Sequence, residues 1–490
     1  MKRTIIALLL VNLVLSACAP VSAPTPTQQV AVAPSATPLP TATATPTSTP
    51  TATPTATPTP IPTIQVGDLS VPDPRVTNPE LFDLTNPNAP IPQFVNAMRM
   101  AGIEITAEQV VQGIMFQTLK DISGKSFVIV TFHIDPDPHM QNEILEGDIP
   151  LALGVNEGDR RWQWSSATLR RLSELGGFTF GAFLGGNGEA ARFYDEIFNL
   201  QANHFNLSGI WVGMSSLRSQ EESFDPFSTF TRVEIERSNR SGKRILVHPI
   251  VWGQDVPSWV REIDNREQLW SVLREHIATL ADFINTVNKI NPPIVIVVNE
   301  ANWHDFWYQR LGREYVLEAF KIAKQSLPNA VLIYNDFDNH TLAGSRYQWT
   351  KQVVSSLQSN NLIDGVGVEL IIDAANPPTS ENVIQAMKSY GMPVYVTEFN
   401  VLMGNVGGSN SQRLRKQAEI YYTMTRAALS SGACKAFVDF QTGDRFSIWV
   451  QPDFAYGNIN NMPTPFGDNL NPKLAYYVQM RALLEVLFEK

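Results

Sequence analysis

Two glutamates stand where short apolar runs stop. Residues 294–303 read Ile-Val-Ile-Val-Val-Asn-Glu-Ala-Asn-Trp, so five β-branched residues lead into Asn299 and Glu300. Pro393 to Val396 is a second short run, followed by Thr397-Glu398-Phe399. An apolar run without alternation suits a parallel strand covered on both faces, and a charge directly after it sits where the strand leaves its core. Two carboxyls brought together at such a place have the composition needed to break a glycosidic bond. One serves as acid and then base; the other, about 5 to 5.5 Å away, serves as nucleophile if the anomeric configuration is retained. The acid has to stay protonated near neutral pH, which partial burial and a neighbouring carboxylate both favour. Glu300 is expected to be the acid/base and Glu398 the nucleophile. The alternative for either one is a surface charge capping the helix that follows its strand.

Positioning the two requires a scaffold that returns distant segments to one rim. Beyond Ser165, short apolar runs alternate with stretches of helical length. The expected strands are Phe178 to Phe183, Phe205 to Val212, Arg244 to Val251, Ile294 to Val298, Val331 to Tyr334, Val366 to Glu369, Val394 to Val396 and Ala436 to Phe440. Helical patterns include Ser271 to Val287 and Arg313 to Gln325. Eight strands alternating with helices over a little more than 300 residues predict an α/β fold, a (β/α)8 TIM barrel, in which Glu300 ends the fourth strand and Glu398 the seventh. A doubly wound open sheet is the alternative, although Gly185-Gly186-Asn187-Gly188 is too loose a match to a dinucleotide fingerprint.

The remainder of the 490 residues divides in three. Lys2 and Arg3 precede an apolar run from Ile5 to Leu15, which is too short for a permanent membrane span and has the layout of an export signal. Leu15-Ser16-Ala17-Cys18 resembles a bacterial lipobox, so residues 1–18 are expected to be a lipoprotein signal with Cys18 lipidated; a plain signal peptide is the alternative. Residues 19–63 are rich in Pro and Thr and are expected to be a disordered spacer, with a reach of roughly 140 Å at about 3.1 Å per residue if fully extended. Together these predict an exported body at the cell envelope, touching the membrane through its lipid anchor alone. Residues 64–164 read as a small α+β accessory module, with a helix-like stretch at Ala107 to Phe116 and a strand at Ser126 to Phe132. In it Asp135-Pro-Asp-Pro-His139 is a turn. Residues 165–490 form the barrel domain.

Composition narrows the partners. A net charge of -10 without a basic cluster argues against nucleic acid and is compatible with a neutral polymer. The two cysteines, Cys18 and Cys434, build no disulfide framework, and Cys434 reads as a small buried hydrophobe. The histidines lack ligand spacing, so neither a metal nor an organic cofactor is expected.

Several segments resemble glycoside hydrolase family 10, the endo-1,4-β-xylanases, in that family's order. They are His248-Pro-Ile-Val-Trp252-Gly253-Gln254, His276-Ile277, Val297-Val298-Asn299-Glu300-Ala301, Tyr334-Asn335-Asp336-Phe337, Ile363-Asp364-Gly365, Val396-Thr397-Glu398 and Asn471-Pro472-Lys473-Leu474-Ala475-Tyr476. The resemblance covers about 165–490. It implies a retaining mechanism with the same two glutamates in the same roles, acting on xylan or a related β-1,4-linked polysaccharide. It also implies that His248 and Asn299 hold the sugar beside the scissile bond and that Trp252 walls it, with Gln254 nearby. Asn335 and Asp336 are expected to be structural.

Departures from the family's pattern fall on substrate contacts. Where the family has Glu-Asn-x-Met-Lys-Trp after the second strand, this chain has Trp211-Val212-Gly213-Met214-Ser215-Ser216. Gly253 replaces a histidine, Glu369-Leu370-Ile371 replaces Gln-x-His, Asn400 replaces Asp and Phe440-Gln441 replaces Trp-Gly. Glu369, if it points into the cleft, adds a third carboxyl that raises a neighbour's pKa. Trp211, Trp303, Trp307 and Trp449 are candidate stacking faces for pyranose rings, with Trp303 on the leaving-group side. These changes leave open the same mechanism on a different β-glycan, or a carbohydrate-binding barrel without catalysis.

Overall fold

The structure, a computed structural model, describes residues 61–489 apart from 136–142, 159–160, 187, 222, 226–229 and 455–456. The expected export signal with Cys18, nearly all of the Pro/Thr tract and His139 of the expected turn lie outside the described residues.

Eight parallel strands close into a barrel. They are β1 (Phe180–Phe183), β2 (Leu207–Trp211), β3 (Arg244–His248, resumed at Val251–Trp252), β4 (Ile294–Asn299), β5 (Val331–Asp336), β6 (Gly365–Asp373), β7 (Val394–Leu402) and β8 (Cys434–Asp439). Each pairs with the next, and β8 returns to β1 through Phe437 opposite Phe180, so no open edge remains and the doubly wound alternative is excluded. All six residues of β4 are buried because its two faces meet different apolar layers. Ile294 and Ile296 join Leu207, Leu246, Ile333 and Val438 inside the barrel, while Val295 and Val297 face the surrounding helices. Among those helices, Arg266–Val287 is started by Asn265, whose side chain accepts from Gln268 N, and buries Leu269, Leu273, Ile277, Leu280 and Ile284 on one stripe.

The eight expected strands all occur, and β4 to β7 run further than expected, β6 and β7 the furthest. β6 and β7 stay paired from Glu369 opposite Glu398 to Asp373 opposite Leu402, so Glu398 lies within its strand, with Phe399–Leu402 beyond it. Polar residues at Glu369, Thr397, Glu398 and Asn400 resemble a strand end in sequence; in three dimensions each finds a hydrogen-bond partner.

Ahead of the barrel lies a four-stranded antiparallel sheet (Ile114–Lys120, Ser126–Ile134, Gly147–Asn156, Trp162–Ser166) whose two central strands are buried on both faces along Phe127–Thr131 and Ile149–Gly154. The expected helix at 107–116 ends at Gly113, and Ile114 onward is strand. Val128 and Val130 pack under the hairpin of Thr63–Val66 and Leu69–Pro72, whereas Phe127 and Ile129 belong to the main core. The sheet and the helix Pro90–Met100 seat against the last helix, Leu474–Phe488: Phe94 meets Tyr477 edge-on at 5.1 Å, and Arg481 Nη1 donates to Ile144 O at 2.9 Å. That helix is buried at every position from Leu474 to Leu484, because the barrel covers one side and the sheet the other.

Candidate active site

Asn299 closes β4, and Glu300 then turns the chain with φ +50°, a left-handed conformation rare for a residue with a side chain. The turn is held from both sides. Glu300 N donates to Asn335 O at 2.9 Å and Asn302 Nδ2 donates to Glu300 O at 3.0 Å. Asp305 accepts from Asn302 N and the Tyr315 hydroxyl, which anchors the rest of the loop. The Glu300 carboxyl consequently faces the mouth, where Oε2 accepts from Gln254 Nε2 (3.1 Å) and Trp252 Nε1 (3.3 Å), and Oε1 from Asn299 Nδ2 (3.3 Å).

Across the mouth, β7 carries one extra residue relative to β6. Val368 pairs with Val396 and Glu369 with Glu398, leaving Thr397 as a bulge. Bulges re-aim side chains, and here two successive side chains both find partners at the mouth. Thr397 Oγ1 donates to Asn335 Oδ1 at 2.6 Å, and Glu398 Oε1 lies 2.7 Å from His248 Nε2. His248 is itself fixed, with Trp211 stacked on it at 5.1 Å and Phe183 edge-on at 5.5 Å. Trp211 in turn meets Trp252 edge-on at 5.8 Å.

Glu369 supplies a third carboxyl. It is buried and accepts from Asn335 Nδ2 at 2.9 Å. The same Asn335 amide donates to Asn299 Oδ1 at 2.8 Å, so one side chain on β5 ties β4, β6 and β7 together. Asp336, beside it, is paired with Arg346 at 2.9 Å and accepts from the hydroxyls of Tyr334 and Thr350.

Crowding these acids away from water changes their protonation. Burial, then Glu398 and Asp336, push the Glu300 carboxyl up to about 8. Burial, followed by Glu398 and Glu300, holds Glu369 well above the ordinary carboxylate range. Asp336 is raised to about 6, chiefly by burial, with Arg346 opposing the rise. A site with one carboxyl kept protonated, and another bonded to histidine, can donate a proton on one side of a bond and attack from the other.

Seven of the sequence-selected residues thus share one network: Glu300, Glu398, Glu369, His248, Asn299, Trp252 and Gln254. Trp303 stands apart from it, 54% exposed on the loop after β4 and edge-on to Trp349 at 5.7 Å. Two suggested stacking faces are unavailable, since Trp307 is completely buried and Trp449 lies in the core cluster above the barrel interior. Asn335, expected to be structural, is the hub of the network, and Thr397 was not singled out at all. The signal for both was their position beside a carboxyl, Asp336 or Glu398, that follows an apolar run. Cys434 is buried, with its thiol pushed up to about 12 by that burial.

The departures have local reasons. A Cβ at Gly253 would sit 2.4 Å from Asp305 Cβ, so the Asp305 side chain occupies the space a larger residue would need. Ile371 and Asn400 are register partners on β6 and β7, which fits their changing together, and Asn400 donates to Pro463 O at 3.1 Å.

Comparison with known proteins places this geometry. A family model described as glycosyl hydrolase family 10 matches residues 176–482. The chain is 27% identical over 250 residues to endo-1,4-β-xylanase B of Thermotoga neapolitana, covering 50% of this chain and 70% of that protein. It is 29% identical over 245 residues to an endo-1,4-β-xylanase of Agaricus bisporus, covering 48% and 70%. Native xylanase 10B from Thermotoga maritima superposes with a TM-score of 0.58 at 24% identity, over 66% of this chain and 100% of that one, a likeness of fold.

Proposed function

This chain belongs to glycosyl hydrolase family 10 and is a glycoside hydrolase, and from that premise we propose that it cleaves β-1,4-linked xylan internally, with Glu300 as acid/base and Glu398 as nucleophile. Glu398 attacks the anomeric carbon while the Glu300 proton passes to the departing glycosidic oxygen. Water then attacks the glycosyl-enzyme, giving its proton to Glu300 and releasing Glu398. The observation that carries this reading is the unequal treatment of the two carboxyls in one mouth. Glu300 is kept protonated by burial and by its acidic neighbours, and Glu398 is oriented by His248 Nε2 at 2.7 Å. Relatives bearing the name endo-1,4-β-xylanase support the choice of polymer.

A second reading keeps the mechanism and changes the sugar. It is favoured by Trp211, which is 38% exposed and stacked on His248 where the family's pattern has polar contacts, and which offers an apolar face instead. Reducing-sugar release from xylan, mannan and mixed-linkage glucan separates the two: release from xylan above the others supports the first, and release from another polymer alone replaces it. Binding to one polymer with cleavage of none would favour a non-catalytic barrel. The export signal and lipobox support a lipid-anchored enzyme at the cell envelope, with Cys18 as the modified residue. Loss of lipid labelling and release of the protein from membranes in Cys18→Ser would test that anchor.

A further inference from the structure

An aromatic patch on the β1–β2 side of the barrel takes no part in the network around Glu300 and Glu398. The helices Tyr194–His204 and Thr231–Arg240 follow β1 and β2, and short turns lead from their last residues into β2 and β3, so their first residues stand at the mouth end of the barrel. Phe230, directly before the second helix, is 48% exposed and has φ +61°, a left-handed conformation that a bulky residue seldom adopts. Its ring lies on Tyr194 at 5.6 Å and 28°, and Tyr194 lies on Phe198 at 6.3 Å and 19°. Arg237 steadies this pile, with its guanidinium 4.8 Å from the centre of the Tyr194 ring and an ion pair to Asp195 at 2.5 Å. Beside the pile is a cavity of about 330 Å³, lined also by Arg192, Asp195, Glu196 and Arg237. The next residue, Thr231, donates from Oγ1 to Trp211 O at 3.3 Å, which joins the patch to the tryptophan stacked on His248.

We propose that Phe230 and Tyr194 form a sugar-binding subsite, distant from the bond being cut, for the same β-linked chain that enters the mouth. The inference rests on the reading of that mouth as a polysaccharide-cleaving site. An exposed ring backed by a second ring presents a rigid, flat, apolar face of the kind a pyranose stacks on. Two arginines and two carboxylates around the cavity cancel in charge while offering donors and acceptors, which suits a neutral polyhydroxylated ligand better than an ion. The left-handed backbone of Phe230 is a cost, and the Tyr194 hydroxyl, buried without a hydrogen-bond partner among the described residues, is a second. Costs of this kind persist where a site needs the geometry they maintain. Thr231 fixes the patch to the end of β2, so a chain that leaves the catalytic sugar past Trp211 runs toward Phe230.

The test compares kcat/KM of the full chain and of Phe230→Ala on xylohexaose and on nitrophenyl β-xyloside, whose single sugar occupies only the place beside the scissile bond. If the panel selects mannan or mixed-linkage glucan, the hexasaccharide and nitrophenyl glycoside of that polymer replace them. The expected result is a loss of about five- to tenfold on the hexasaccharide, with the small glycoside turned over as before. An equal loss on both substrates, or none on the hexasaccharide, overturns the subsite while leaving the catalytic pair in place. Cleavage of no polymer by the wild-type chain overturns the proposed function instead. In that case, or where the small glycoside is not turned over, calorimetric titration with xylohexaose decides the subsite: weaker binding by Phe230→Ala supports it, and equal binding, or none by the wild-type chain, overturns it. Should Phe230→Ala fail to fold, Phe230→Gly, which adopts the left-handed backbone freely, takes its place.

Discussion

Asp444 and Lys473, both buried near the end of β8, are joined by a bond of 2.8 Å, and Asp444 also accepts from Thr464 N and Oγ1. At the mouth, Glu300, Glu369 and Glu398 occupy one space with no lysine or arginine bonded to any of them among the described residues. Both regions remove carboxyls from water, and they differ in what compensates them. A counter-charge and backbone donors make the first a structural joint. Like charges, amides and one histidine make the second a place where protons move easily and stability is given up.

That contrast can be broken most directly by Glu398→Ala. Removing the nucleophile should lower kcat by roughly four orders of magnitude, the scale of losing a covalent catalyst, while the thermal midpoint stays near wild type. Steady-state kinetics with calorimetry on the same sample checks both halves. Lys473→Ala should do the opposite. It strands Asp444 as a buried charge, so denaturant unfolding should show a loss of about 3 to 5 kcal/mol, with kcat per folded molecule nearly unchanged.

A third, smaller effect concerns pH. The folded-state carboxyl of Glu300 lies near 8, above its ordinary value of 4.5, so the fold favours the protonated form. The resulting stabilisation is complete below about 4.5 and is lost as pH rises through about 8. Relative to Glu300→Gln, the wild-type melting temperature should therefore fall between pH 5 and pH 8.5. A parallel course in the two proteins would remove the mouth's claim to being under strain. Smallest is Trp211→Ala, expected to raise KM about tenfold through the loss of one stacking face, with no change in stability ranking between the two regions.

How much of this was legible depended on the kind of residue. Ile294 to Val298 announce a doubly covered strand in any context, and Glu300 after them marks a rim, because a charge cannot continue such a run. Glu398 was legible by the same rule, yet the rule mistook the continuation of β7 for its end. Thr397 and Asn400 look like loop residues until Asn335 and Pro463 O supply their partners. Trp303 and Trp307 are indistinguishable as sequence, four residues apart on one segment. Only the packing of the helix Phe306–Leu311 buries the second and leaves the first in solvent.

Local pattern was sufficient for strand count, barrel class and the identity of the two opposed glutamates, since each follows from apolar periodicity and from where it is interrupted. The bulge at Thr397, the hub at Asn335, its hydrogen bond to Glu369 and the seating of the N-terminal sheet on Leu474–Phe488 came from tertiary structure alone. They depend on register between strands far apart in the chain. A shift of one residue in that register would turn the same side chains to the other face.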